Sequence, residues 1–152
     1  MKPILIAGLV AGTLDLDLAV AFFSLRGAPL NTIPHAIAAG LLGPRAFHGG
    51  ISVAFLGVAL HFCIALSVAA FYYALSVRIG LLNAHPFLSG AAYGIGVYLF
   101  MQYVVLPLSA EPRSRPSHTW LIADIASHIF FIGITIALIT RYFAGNQNLA
   151  NG

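Results

Sequence analysis

Four long, predominantly apolar runs dominate the chain, at residues 3–25, 51–77, 87–110 and 119–143. A helix needs about 20 apolar residues to cross the hydrocarbon of a bilayer, so each run predicts a transmembrane helix. The intervals hold turn formers and charge. Arg26-Gly27-Ala28-Pro29 follows the first run, residues 80–86 separate the second and third, and Glu111-Pro112-Arg113-Ser114-Arg115-Pro116 separates the third and fourth. In that last interval proline removes backbone donors and the charges require water, which places it outside the membrane. Trp120 and Tyr142 stand at opposite ends of the fourth run, as an aromatic belt would have them. Residues 145–152 are polar and are expected to fray.

The connection over residues 26–50 is long, yet Ile33-Pro34-His35-Ala36-Ile37-Ala38-Ala39-Gly40-Leu41-Leu42 within it is nearly apolar and too short to cross. It predicts a re-entrant or interfacial helix, or a short helix packed over the end of the bundle. The expected fold is an all-α membrane protein: a four transmembrane helix bundle over residues 1–144, with that extra segment between helices 1 and 2. Lys2 before an apolar run, and Ala19-Val20-Ala21 later in it, imitate a cleavable signal. Asp15 and Asp17 would then fall where signals avoid charge, so the first run is expected to stay as a span.

Composition strengthens the picture. Of 152 residues 60% are hydrophobic, and seven Lys or Arg plus four Asp or Glu are the only charged ones. A soluble domain of this length carries about 38 charges, so the solvent for most of this surface is lipid. The net charge of +3 is scattered and forms no basic patch for nucleic acid, and the single cysteine, Cys63, excludes a disulfide scaffold. Lys2, Arg78 and Arg141 fall on one side of the membrane, here called side A. Arg26, Arg45, Arg113 and Arg115 fall on the other, side B; three against four sets no orientation.

Polar positions inside the runs point to chemistry. Asp15, Asp17, His61, Gln102, Asp124 and His128 all lie within spans. A charged group at the bilayer centre costs about 2.5–3.5 kcal/mol on insertion scales, so these acids must be protonated, paired or wet. At 1.5 Å per residue from side B, Asp15, His61 and His128 lie roughly 14–15 Å deep, Asp17 and Gln102 about 12 Å, and Asp124 about 8 Å. All four helices therefore send polar atoms into one layer of the side B half. Asp124 and His128 share a face at four-residue spacing. Asp15 continues the Gly8, Gly12 stripe, whereas Asp17, about 200° away, faces elsewhere and is expected exposed or paired with Arg26 or His48. Gly8 and Gly12, like Gly90 and Gly94 in the third run, have the spacing that lets helix backbones approach closely. The expectation is a buried cluster of Asp15, His61, Asp124 and His128, supported by Gln102 or Tyr103.

Three segments also carry a family resemblance. The helix opening His61-Phe62-Cys63-Ile64-Ala65, the helix from Leu88-Ser89-Gly90-Ala91 to Leu106-Pro107-Leu108, and the pattern Asp124-Ile125-Ala126-Ser127-His128 resemble the YagU-like family of small bacterial inner-membrane proteins. The resemblance covers roughly residues 57–143. It departs from the family where Asp124 stands for the usual Glu, and where Asp15 and Asp17 have no counterpart. It implies the four-helix architecture, a bacterial inner-membrane location and a role for His61, Asp124 and His128, but names no reaction.

The cluster suits proton-linked transport or pH sensing, because carboxylates and imidazoles in a membrane share and relay protons. The same residues leave other readings open. One is a transition-metal site on His61, Asp124 and His128. Another is a b-type haem between His61 and His128. A third is a structural subunit of a homo-oligomer or of a larger membrane assembly, in which the aspartates fix helix register. No cofactor is expected on the first reading. Enzymatic catalysis is not expected, since the chain has no phosphate loop, nucleophile elbow or recognisable Cys–His spacing.

Overall fold

The computed structural model describes residues 1–112 and 116–150, and they are helical almost throughout. Four helices are long and apolar enough to cross a membrane: Lys2–Ser24 (α1), Ile51–Arg78 (α3), Pro86–Leu108 (α5) and His118–Gly145 (α6). Thr32–Leu42 (α2) and Gly80–Ala84 (α4) are short connecting helices. Each of these spans begins and ends within two residues of the run that predicts it. Beyond the fourth span the helical backbone continues to Ala150. Arg113, Ser114 and Arg115 lie outside the described residues.

The outside of the bundle is apolar. Leu5, Leu9, Phe55, Phe71, Leu88 and Phe130 are all exposed, as lipid-facing residues must be. The inside is built from small residues, because helices in lipid gain by close backbone contact and not by hiding oil from oil. Along α1 the buried positions are Pro3, Ala7, Gly8, Ala11 and Gly12, a stripe at helical spacing. A β-carbon on Gly8 would come within 2.9 Å of the Leu66 Cα, and one on Gly12 within 3.0 Å of the Ala65 Cβ, so this stripe seats α1 on α3. The α5–α6 seam is tighter. A β-carbon on Gly94 would overlap the His128 carbonyl oxygen, and one on Gly133 would overlap that of Gly90. Ala7, Ala11, Ala69, Tyr72, Ile132, Ile136 and Ala137 close the core between these seams.

The side A half also holds hydrogen-bonded polar groups. Tyr72 Oη and Ser89 Oγ are 3.0 Å apart, and Ser89 Oγ lies 2.9 Å from the Leu82 carbonyl oxygen. Tyr93 donates to the Val68 carbonyl at 2.7 Å. These hydroxyls tie α3 to α5.

Helix α2 lies along the first turns of α3, where Gly57 admits it: a β-carbon there would overlap the Pro34 carbonyl oxygen. Gly43, at φ +66°, ends α2 in the left-handed region. His35 is buried, with ring nitrogens 2.7 Å from the Asn31 carbonyl oxygen and 3.1 Å from that of Gly49. It thereby staples the start of α2 to the entry of α3. Carbonyl oxygens only accept, so both contacts are hydrogen bonds together only when both ring nitrogens carry hydrogen.

The far end of α2 is held by the segment leaving α5, through Ala110 N–H donating to the Gly40 carbonyl at 2.9 Å. Burial pushes the adjacent Glu111 carboxyl above its ordinary value. The folded state therefore favours protonated Glu111, and this docking is fullest at pH below the ordinary glutamate range. It weakens as pH rises through the raised value. Amide exchange at Ala110, corrected for its intrinsic pH dependence, should accelerate across that interval, and Glu111→Gln should flatten the dependence.

Candidate functional site

The polar layer is organised by α6. Asp124 and His128 lie one turn apart on it, and the His128 Nδ1 is 3.2 Å from the Asp124 Oδ1 and 2.9 Å from the Asp124 backbone oxygen. Their side chains are only 14% and 13% exposed, so the pair sits inside the bundle without being sealed. Gln102 of α5 donates from Nε2 to the other carboxylate oxygen, Asp124 Oδ2, at 3.3 Å. Tyr98, one turn earlier on α5 and buried, sets its ring edge-to-face on the His128 imidazole at 5.5 Å.

The second acid enters from α1. Asp15 stands at the end of the small-residue stripe and is half-buried, and its Oδ1 accepts from the Ser127 hydroxyl. Ser127 is buried and lies three residues after Asp124, so both carboxyls are held within one turn of α6. Three transmembrane helices thus meet at Asp15, Gln102, Asp124, Ser127 and His128.

Two of the three helices that supply this layer, α5 and α6, leave α-geometry there. Met101–Val105 and His128–Ile134 are π-helical, the first containing Gln102 and the second opening at His128. A π turn widens the helix and displaces the following side chains around it, and such turns recur at functional sites. Beside the layer, Leu18, Ala123, Ala126, Ser127, Phe130 and Phe131 line a cleft of about 240 Å³ that opens outward between α1 and α6. Its walls expose only apolar surface.

Several sequence expectations change. His61 shares the depth of the cluster but not its location. Its Nε2 is bonded to the Gly12 carbonyl oxygen at 2.8 Å, on the α1–α3 seam. Equal depth says nothing about azimuth, and this His faces the backbone that a glycine leaves open. Tyr103 is 76% exposed and points out of the bundle, so of two neighbouring candidates only Gln102 reaches the site. Asp17 is exposed on the outer face of α1. Its suggested partners are elsewhere: Arg26 donates to the Phe22 carbonyl at 3.0 Å and lies over the Phe22 ring, and His48 is exposed on the Gly43–His48 turn. Ser127 and Tyr98 were not singled out, although Ser127 follows Asp124 by three residues and Tyr98 precedes Gln102 by four, both spacings that share a helical face.

Among the described residues no three His, Cys, Asp or Glu side chains are grouped so as to hold a metal ion. The nitrogen of His61 that is bonded, Nε2, lies on the Gly12 carbonyl oxygen, and nothing in this geometry supports a bis-histidine haem. No family model, curated protein or solved structure matches the chain.

Proposed function

We propose that this chain is an integral membrane protein that binds and releases protons at the Asp15–Asp124–His128 layer, serving proton-linked transport or pH sensing. The observation that carries this reading is an imbalance of charge. Two carboxyls and one imidazole are held within a turn of α6, and their remaining partners, Ser127 and Gln102, are neutral. A protonated His128 can compensate one carboxylate. The other must hold a proton or a cation, because an uncompensated charge at that depth is expensive. Asp124 and His128 are in direct contact, and Asp15 is joined to the same turn through Ser127, so three groups able to carry a proton lie together. The resemblance to YagU-like proteins supports the same bundle and a bacterial inner-membrane location.

Reconstitution into liposomes loaded with a pH-sensitive dye tests this directly. An imposed pH gradient should collapse faster with the native chain than in empty vesicles. Asp124→Asn and His128→Gln should each return the rate to that of empty vesicles while the purified proteins stay folded. Unchanged flux in both variants would remove the proposal.

A second reading, an assembly subunit without transport, draws on Asp17. An acid on the outer face of a span, with no Lys or Arg at its depth among the described residues, favours a neighbour that covers it. On that reading Asp15→Asn and Asp124→Asn are tolerated by whatever function is measured.

A further inference from the structure

At the opposite membrane edge lies an open, shallow cleft of about 250 Å³, lined by Ala84, His85, Pro86, Phe87, Leu88 and Arg141. His85 immediately precedes the span Pro86–Leu108, and Arg141 lies in the last turns of the span His118–Gly145. The cleft is therefore at headgroup level on side A, well away from the proton-binding layer.

Charge is distributed unevenly between the two edges. Side A carries Lys2, Arg78, Arg141 and His85. All four acids of the chain are elsewhere: Asp15, Asp17 and Asp124 in the side B half, and Glu111 beyond the side B end of α5. Among the described residues the only ion pair is Asp124–His128, so Arg141 and His85 have no acid of their own. A guanidinium carries five donors in a planar fork that matches two oxygens of a phosphate, and a histidine beside it adds a further donor. The other walls are apolar and face lipid: Phe87 is 65% exposed and Leu88 74%. A ligand filling this cleft has an anionic head toward Arg141 and His85 and hydrocarbon against Phe87 and Leu88.

We propose that the cleft is a binding site for an anionic phospholipid of the surrounding bilayer, its phosphate held by Arg141 and His85 and its acyl chain lying along Phe87 and Leu88. The charge complementarity selects against a zwitterionic lipid, whose choline would be brought to the same cationic edge.

The test uses the full chain in detergent with equal amounts of phosphatidylglycerol and phosphatidylcholine, read by native mass spectrometry. The native protein should retain phosphatidylglycerol about fivefold better than phosphatidylcholine, the effect of one basic residue at an anionic surface. Arg141→Gln combined with His85→Gln should abolish the preference, whereas Arg78→Gln, on the same edge but outside the cleft, should keep it. Both cleft side chains are exposed, so the double variant should unfold at the native temperature, which separates lost binding from lost structure. Equal retention of the two lipids by the native chain would overturn the proposal. So would a double variant that keeps the preference, or an Arg78→Gln variant that loses it equally. Displacement of the lipid by millimolar inorganic phosphate would also overturn it, since the site would then read the phosphate alone.

Discussion

Gly94→Ala is expected to destabilise the bundle by about 3 kcal/mol, the upper range for overpacking a filled interior. The added methyl has no flexible side chain to displace. It would overlap the His128 carbonyl oxygen and come within 2.8 Å of the Ile129 Cα, so α5 and α6 must separate. Gly133→Ala meets the Gly90 carbonyl oxygen on the same seam, and its effect should not add to that of Gly94→Ala, since one separation relieves both. Gly96, two residues further along α5, is the internal control. Nothing lies within 4 Å of a β-carbon built there, so Gly96→Ala should be neutral or stabilising by up to about 1 kcal/mol, the helix-propensity difference. Thermal or SDS-induced unfolding in mixed micelles measures all three. Equal stability of Gly94→Ala and Gly96→Ala would show that the seam is looser than described.

The second large effect is at Asp124. Asp124→Ala removes the acceptor used by Gln102 and the carboxylate facing His128. Removing one member of a fully buried ion pair costs about 3–5 kcal/mol. Here the pair is slightly exposed and His128 keeps the Asp124 backbone oxygen, so about 2–3 kcal/mol is expected. Asp124→Asn retains an acceptor and should cost about 1 kcal/mol, near the net worth of one hydrogen bond. Replacing Asp124 by Leu and His128 by Phe together should recover most of the stability lost in Asp124→Ala, because an apolar pair leaves no unmatched group. The double variant separates the two roles of the site: it should fold yet show no proton flux above empty vesicles. A double variant as unstable as Asp124→Ala would indicate that shape, not polarity, sets the stability of this layer.

How far the sequence revealed these features depended on the kind of information each needed. The spans were legible because lipid imposes a length and a composition on any helix that crosses it. Asp124 and His128 were legible as a pair because four-residue spacing fixes both depth and azimuth. The inward aim of Asp15 followed from the small residues preceding it. His61 was misplaced because its depth is a property of its own helix, whereas its partner depends on how α3 is turned against α1. Gln102 and Tyr103 were inseparable for the same reason. The π turns at Met101–Val105 and His128–Ile134 left no recognisable trace, since they come from how α5 and α6 pack and not from a residue that breaks helix. His35 was read as part of an apolar segment, and its stapling role appears only once Asn31 and Gly49 are brought to its two nitrogens.

The glycine seams divide the bundle into two slabs, α1 with α3 and α5 with α6. Little can shear within a slab, because backbone lies on or near backbone. Motion is left to the joint between slabs, which is pinned differently at its two edges. On side A it is crossed by Tyr72, Ser89 and Tyr93, hydroxyls that keep their protons at neutral pH. Toward side B it is crossed by Asp15 on Ser127, and a carboxyl changes both its charge and its bonding when it gains a proton. The two edges of the joint are therefore fastened by different chemistry, neutral hydroxyls at one and a carboxyl at the other, as a door has its hinge on one side and its lock on the other.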